Sequence, residues 1–127
     1  MGLITALFII GRVLLGGFFL YNAYNHLKNI SGLSAYAASK NVPQPRLAVI
    51  VSGIMMALGG LAILLNLYIV LGMWLLVLVL IPITFMMHSF WKDADPQMKM
   101  NNQVQFTKNL AILGALFMLI AIGMMLG

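Results

Sequence analysis

Cysteine is absent from the 127 residues. Disulfides, CxxC redox chemistry, thiolate zinc sites and iron–sulfur ligation by this chain are therefore excluded. Acid is nearly absent as well. Asp93 and Asp95 are the only acidic residues, so no apolar run carries the carboxylate that proton-coupled carriers use. Charged residues make up 7% of the chain and hydrophobic ones 63%, where an ordinary soluble domain is about 25% charged. A water-facing globule is ruled out. The seven cations give a net charge of +5, but they are scattered at the ends of apolar runs and in loops. That is the pattern of topology signals, not of a nucleic-acid surface. The expected partner is the lipid bilayer, with no nucleic acid. Eleven methionines read as adaptable apolar packing rather than a copper path, since none pairs with cysteine or clusters with histidine.

What is present is hydrocarbon, in runs long enough to cross a bilayer. The first covers residues 3–21. It has no basic n-region and no small-x-small cleavage site, and it is long for a signal sequence, so it reads as a retained anchor. Arg12 lies near its middle, where an Arg costs about 2.5–3.5 kcal/mol on insertion scales. The surrounding Leu, Ile, Val and Phe, at about 0.3–0.6 kcal/mol each, more than offset this. Roughly 13 Å from Tyr21, Arg12 is too deep to snorkel easily and needs a partner inside the bundle.

Residues 47–87 are almost uninterrupted in their apolar character. A single helix of that length would be about 60 Å long against a hydrocarbon core of about 30 Å. Two spans are therefore expected, 47–65 and 68–87, broken at Asn66-Leu67-Tyr68. Pro82 should kink the second of these and free the carbonyl of Leu78, which becomes the expected partner of Arg12. A last span covers 106–126. Gly16, Gly17, Gly53, Ala57, Gly60, Ala111 and Ala115 are read as positions of close helix packing. In the first loop, Leu33–Lys40 is expected as a short helix on the membrane surface, capped by Ser31 and ended by Val42-Pro43-Gln44-Pro45. The expected fold class is all-α: one domain over residues 1–127, an antiparallel four-helix transmembrane bundle with a short helix in the first loop.

Lys28, Lys40, Arg46, Lys92, Lys99 and Lys108 lie in or beside the first and third loops, and the termini and the Asn66 hairpin carry no Lys or Arg. The bias predicts cytoplasmic loops and both termini outside. Polarity gathers at that same end. His26 ends the first span, His88 ends the third, and Lys108 and Asn109 begin the fourth. Arg12, Phe19 and His26 are seven residues apart and share a helix face. The expected site is a pocket at the cytoplasmic boundary for a polar-headed, lipid-soluble molecule. Arg12, His26, His88, Trp91, Lys108 and Asn109 are its candidate ligand contacts. Asp93 and Asp95 are candidates to orient His88 and raise its basicity. Plainer readings stand beside these: Trp91 in an interfacial belt, the two aspartates shaping a turn, Arg12 purely structural. Two histidines fall short of a metal ligand set, so no metal is expected.

Several of these residues carry a family likeness. Arg12, Phe19, Ala23 and His26 in the first span, Gly59-Gly60-Leu61-Ala62-Ile63-Leu64 in the second, His88-Ser89-Phe90-Trp91 with Asp95-Pro96, and Phe106-x-Lys108-Asn109-x-Ala111-x-x-Gly114 resemble the DoxX-like family of small four-span bacterial membrane proteins. Two positions depart from the pattern. His26 stands where many relatives have Lys, and Met55-Met56 lie where many have an acid, which leaves Arg12 without a carboxylate partner. The resemblance implies a multi-pass protein of the bacterial inner membrane, similar to the membrane subunit of thiosulfate:quinone oxidoreductases. It makes a quinone the leading ligand candidate, with no cofactor held by the chain itself. A redox partner subunit or further copies of the chain are the candidate protein partners. The alternatives are a non-catalytic assembly partner and, less favoured, a small-molecule transporter. Whether the chain is catalytic stays open.

Overall fold

The computed structural model describes residues 1–127 and contains helices and turns but no strand. Its elements are α1 (Gly2–Lys28), α2 (Ile30–Ser39), α3 (Pro45–Leu65), α4 (Ile69–Pro82) and α5 (Pro96–Leu126). A π-helical turn, Ile83–Met87, prolongs α4, and a 3-10 turn, Phe90–Lys92, follows it. Four stretches are long and apolar enough to cross a membrane: Gly2–Lys28, Pro45–Leu65, Ile69–Lys92 and Pro96–Leu126. The expected four-span, all-α architecture is the one the chain adopts.

The break between α3 and α4 falls at Asn66-Leu67-Tyr68, and the backbone explains why. Asn66 has φ 56° and Tyr68 φ 50°, left-handed values that Asn tolerates better than most residues. The Leu67 N–H donates to the Ala62 carbonyl at 3.0 Å and the Asn66 N–H to the Ile63 carbonyl at 3.3 Å, a Schellman closure. The polar residue therefore ends the helix by conformation as well as by solvation.

Helices α1, α3, α4 and α5 stand side by side in that order. Gly16 and Gly60 bring α1 against α3, where a Cβ on Gly16 would lie 2.8 Å from the Gly60 carbonyl oxygen. Gly59 does the same for α4, with Leu76 packed over it. Phe19, Met56, Ile63, Leu76 and Leu116 belong to the core these contacts enclose. The fourth seam is the widest: no Cα of α1 comes within 8 Å of a Cα of α5, and the Lys108 ammonium reaches across it over the Phe18 ring.

Three expectations about this frame need correction. Helix α2 begins at Ile30 after Asn29, not at Leu33 under a Ser31 cap, and Asn29 makes no side-chain capping bond. The chain turns at Asn29, whose carbonyl already accepts from the Leu33 N–H at 3.0 Å, so Ser31 falls within the first helical turn. Nor does α2 simply rest on the membrane, since it packs on α3 with Ala37 buried. Helix α5 starts at Pro96, ten positions before the expected span. Asp95 caps it by accepting the Met98 N–H at 3.0 Å, with Pro96 at the first helical position, an arrangement suited to a helix start. Hydropathy reported where the lipid begins, while the polar turns from Gln97 to Gln105 are helical all the same.

Candidate functional site

Arg12 sits apart from the other site residues. Its Nε donates to the Ile63 carbonyl at 3.1 Å and its Nη2 to the Leu64 carbonyl at 2.8 Å. The Leu78 carbonyl, its expected partner, is not the acceptor. The last carbonyls of a helix lack intrahelical donors and form the negative end of its dipole, so the end of α3 is the stronger site for a guanidinium. The guanidinium also lies over the Phe8 ring, 5.4 Å from its centroid. Arg12 thus belongs to the hairpin end of the bundle, where it borders an otherwise apolar cleft of about 540 Å³ between α1, α4 and α5. It does not sit beneath the histidines.

At the opposite, basic end, α2 is pinned to the α4–α5 connection. Lys40 Nζ donates to Asp93 Oδ1 at 2.6 Å, with the two side chains only 7% and 4% exposed. The same ammonium donates to the Ser89 carbonyl at 3.3 Å. Tyr36 Oη donates to the Met87 carbonyl at 2.8 Å and accepts from Asn102 Nδ2 at 2.9 Å. Asn102 Nδ2 also donates to Asp93 Oδ2 at 2.7 Å. Both carboxylate oxygens are therefore satisfied. The Asn102 amide, and then the Lys40 ammonium, hold the Asp93 carboxyl below its ordinary range, and burial opposes them more weakly. Among buried polar groups this is the arrangement that stabilises, with each carboxylate oxygen facing a donor.

The network reaches His88 through Asn102, not directly from an aspartate as expected. A carboxylate can only accept, and the Tyr36 hydroxyl already spends its hydrogen on Met87. The Asn102 NH₂ must therefore face Asp93 and Tyr36, which turns Oδ1 toward His88 Nδ1 at 3.1 Å. That oxygen also accepts only, so Nδ1 carries the hydrogen, and in the neutral ring Nε2 keeps a bare lone pair. His26 reaches the same state by another route. Its Nδ1 lies 3.1 Å from the Asn22 carbonyl, again an obligate acceptor. Asp95, the other expected orienting group, is engaged in capping α5 instead.

His26, His88, Lys108 and Asn109 line one cleft of about 230 Å³, walled by Phe18, Phe19 and Met56 among others. Four of the sequence-expected residues are thus brought together from three spans. Asn109 is 5% exposed, and no hydrogen bond engages its amide within the chain. Lys108 stands at the rim, donating to Gln105 Oε1 at 2.6 Å and lying over the Phe18 ring at 5.4 Å. Trp91 is outside the cleft. It packs edge-on to Phe90 and Phe106, at 5.3 and 5.5 Å between centroids, and is half-exposed, as interfacial aromatics are. Tyr36, Lys40, Ser89 and Asn102 form the network behind the cleft, and sequence reasoning did not single them out for it. The one available signal was Asp93, an acid at a membrane boundary that needed a cation and a donor. No grouping of three or more His, Cys, Asp or Glu that could hold a metal ion is present.

No curated protein and no solved structure is detectably similar to the chain. The family model described as DoxX matches residues 7–89. The match takes in Arg12, the three α3 glycines, His26 and His88, and it stops short of α5 with its Lys108-Asn109 pair. It covers more than half of a four-helix membrane protein, and the chain belongs to the DoxX family.

Proposed function

We propose that the cleft between α1, α3, α4 and α5 binds the polar head of a lipid-soluble molecule, a quinone being the leading candidate, and that the chain serves as the membrane subunit of a quinone-linked redox complex. The observation that carries this reading is the position of His26, His88, Lys108 and Asn109 around one cleft on the wide α1/α5 seam. Polar groups this close to hydrocarbon are costly without partners or a ligand. A wide seam lets such a ligand enter sideways from the bilayer with its tail among apolar side chains. Asn109 and Lys108 offer donors to the carbonyl oxygens of such a head, and the imidazoles offer acceptors to any hydroxyl it carries. Electron transfer would draw on a redox centre brought by a partner subunit.

The test is equilibrium binding of a short-tailed benzoquinone to the purified protein and to His26→Ala, His88→Ala and Lys108→Ala. Loss of about tenfold in affinity in the Lys108 variant, which takes away a donor to a quinone carbonyl and leaves the acceptor imidazoles in place, is the expected result, a scale set by one or two hydrogen bonds. Equal binding by all four proteins, or none by the parent, overturns it. The same seam favours a second reading, an assembly partner whose seam is filled by a helix of another subunit, and that outcome would leave it ahead.

The basic end is proposed to face the cytoplasm of a bacterial cell, by the excess of Lys and Arg there. Reporter fusions at Gly127 are expected to be active only outside the inner membrane. A cytoplasmic reporter signal reverses the orientation.

A further inference from the structure

Building on the proposed cleft, we infer that it selects the reduced, dihydroxy form of its ligand over the oxidised, dicarbonyl form. Two imidazoles from different walls line the cleft, one on α1 and one just after the π turn. Each has its Nδ1 hydrogen committed to a group that can only accept: the Asn22 carbonyl for His26 and Asn102 Oδ1 for His88. Neither ring is free to exchange tautomers without breaking that bond. For His88 the constraint runs further back, because the Asn102 amide is itself oriented by the carboxylate of Asp93 and the hydroxyl of Tyr36. Nε2 is the nitrogen each neutral ring has left, and it is an acceptor.

A ring bearing two hydroxyls meets two such acceptors with two donors. Its oxygens can still accept from the amide of Asn109, a residue 5% exposed whose side chain makes no hydrogen bond within the chain. A ring bearing two carbonyls has no hydrogen to give, so it would set lone pairs against lone pairs at both imidazoles. Sites built to receive a hydroxyl hydrogen discriminate strongly against an analogue that lacks it, because their own polar groups are left unpaired. The selectivity therefore rests on the wiring behind the histidines more than on the shape of the cleft.

The experiment is anaerobic equilibrium binding of a decyl-tailed benzoquinol and of the matching benzoquinone to the full chain in detergent, with His26→Phe and His88→Phe alongside. The parent is expected to hold the quinol at least about tenfold more tightly, the worth of one to two net hydrogen bonds. Each variant should bring that ratio toward one through loss of quinol affinity, and an unchanged helical circular dichroism spectrum reports that the variant is folded. Equal affinity of the parent for both forms, or tighter binding of the quinone, overturns the inference and leaves the proposed cleft standing. An undiminished ratio in both variants overturns it as well. Binding of neither form overturns the proposed cleft, and the inference with it.

Discussion

Replacing Asp93 by Ala lowers the stability of the folded protein by about 3 kcal/mol, read from equilibrium unfolding in detergent micelles. Removing one member of a buried ion pair strands the other, at a cost of about 3–5 kcal/mol. The low end applies here because the cover is thin, with Lys92 and Ala94 on either side exposed. Lys40 is then left in a buried position with only the Ser89 carbonyl at 3.3 Å, and Asn102 loses the acceptor that orients it. Pairing Lys40→Met with Asp93→Leu removes both charges and should recover most of the loss, since apolar replacements of buried pairs are often neutral. A double variant no more stable than Asp93→Ala would show that the ion pair is not what holds α2 down. The pH dependence has a defined sign. The Asp93 carboxyl titrates below its ordinary value of 3.8 when folded. Its contribution is thus full above that value and fades as pH falls through the lower folded one, so this pair does not weaken between neutrality and about pH 4.

Gly16→Leu has an effect of similar size by a different route. Its Cβ would fall 2.8 Å from the Gly60 carbonyl oxygen and 3.0 Å from the Leu64 backbone nitrogen. Neither atom belongs to a side chain that can swing aside, so α1 and α3 must separate. Overpacking of this kind costs about 1–3 kcal/mol. The upper end is expected, because separation also draws Arg12 away from the carbonyls of Ile63 and Leu64. Gly17→Leu is the control one residue on. A Cβ there meets nothing within 4 Å, so its midpoint should match the parent or rise slightly through better helix propensity. Equal losses in the two variants would mean that glycine serves α1 through flexibility and not through contact.

The parts of this fold that could be read in advance are those written in single residues or in periodicity. Asn66 marked the α3–α4 hairpin because an interruption in apolar sequence and a left-handed cap coincide there. Asp95-Pro96 suits a turn and a helix start alike, and the chain uses it as a helix start. His26, His88, Lys108 and Asn109 could be gathered because each lies where a span meets a loop, and four spans put those loops on one side. Arg12 was misplaced for the opposite reason. Its acceptors are backbone carbonyls, which no letter of the sequence marks, and they belong to a helix end. Lys40 and Tyr36 were missed because their roles depend on how α2 rolls against α3. They meet Asp93 and Asn102 from 53 and 66 positions away. A short helix of mostly small residues carries no pattern strong enough to fix that roll.

The two hydrogen bonds of Arg12 also bear on how the chain is made. Synthesis delivers α1 first, and the carbonyls that receive its guanidinium lie 51 and 52 positions further along. Throughout that interval the first helix carries an unsatisfied cation, at a cost that its apolar residues cover. Water, headgroups and a locally thinned bilayer must stand in as partners. When α3 enters and Asn66 closes its end, those temporary partners are exchanged for two carbonyls at the end of a helix dipole. The hairpin is therefore a receptor for the nascent first helix as well as a turn, and closing it completes the insertion of a helix that was already in place.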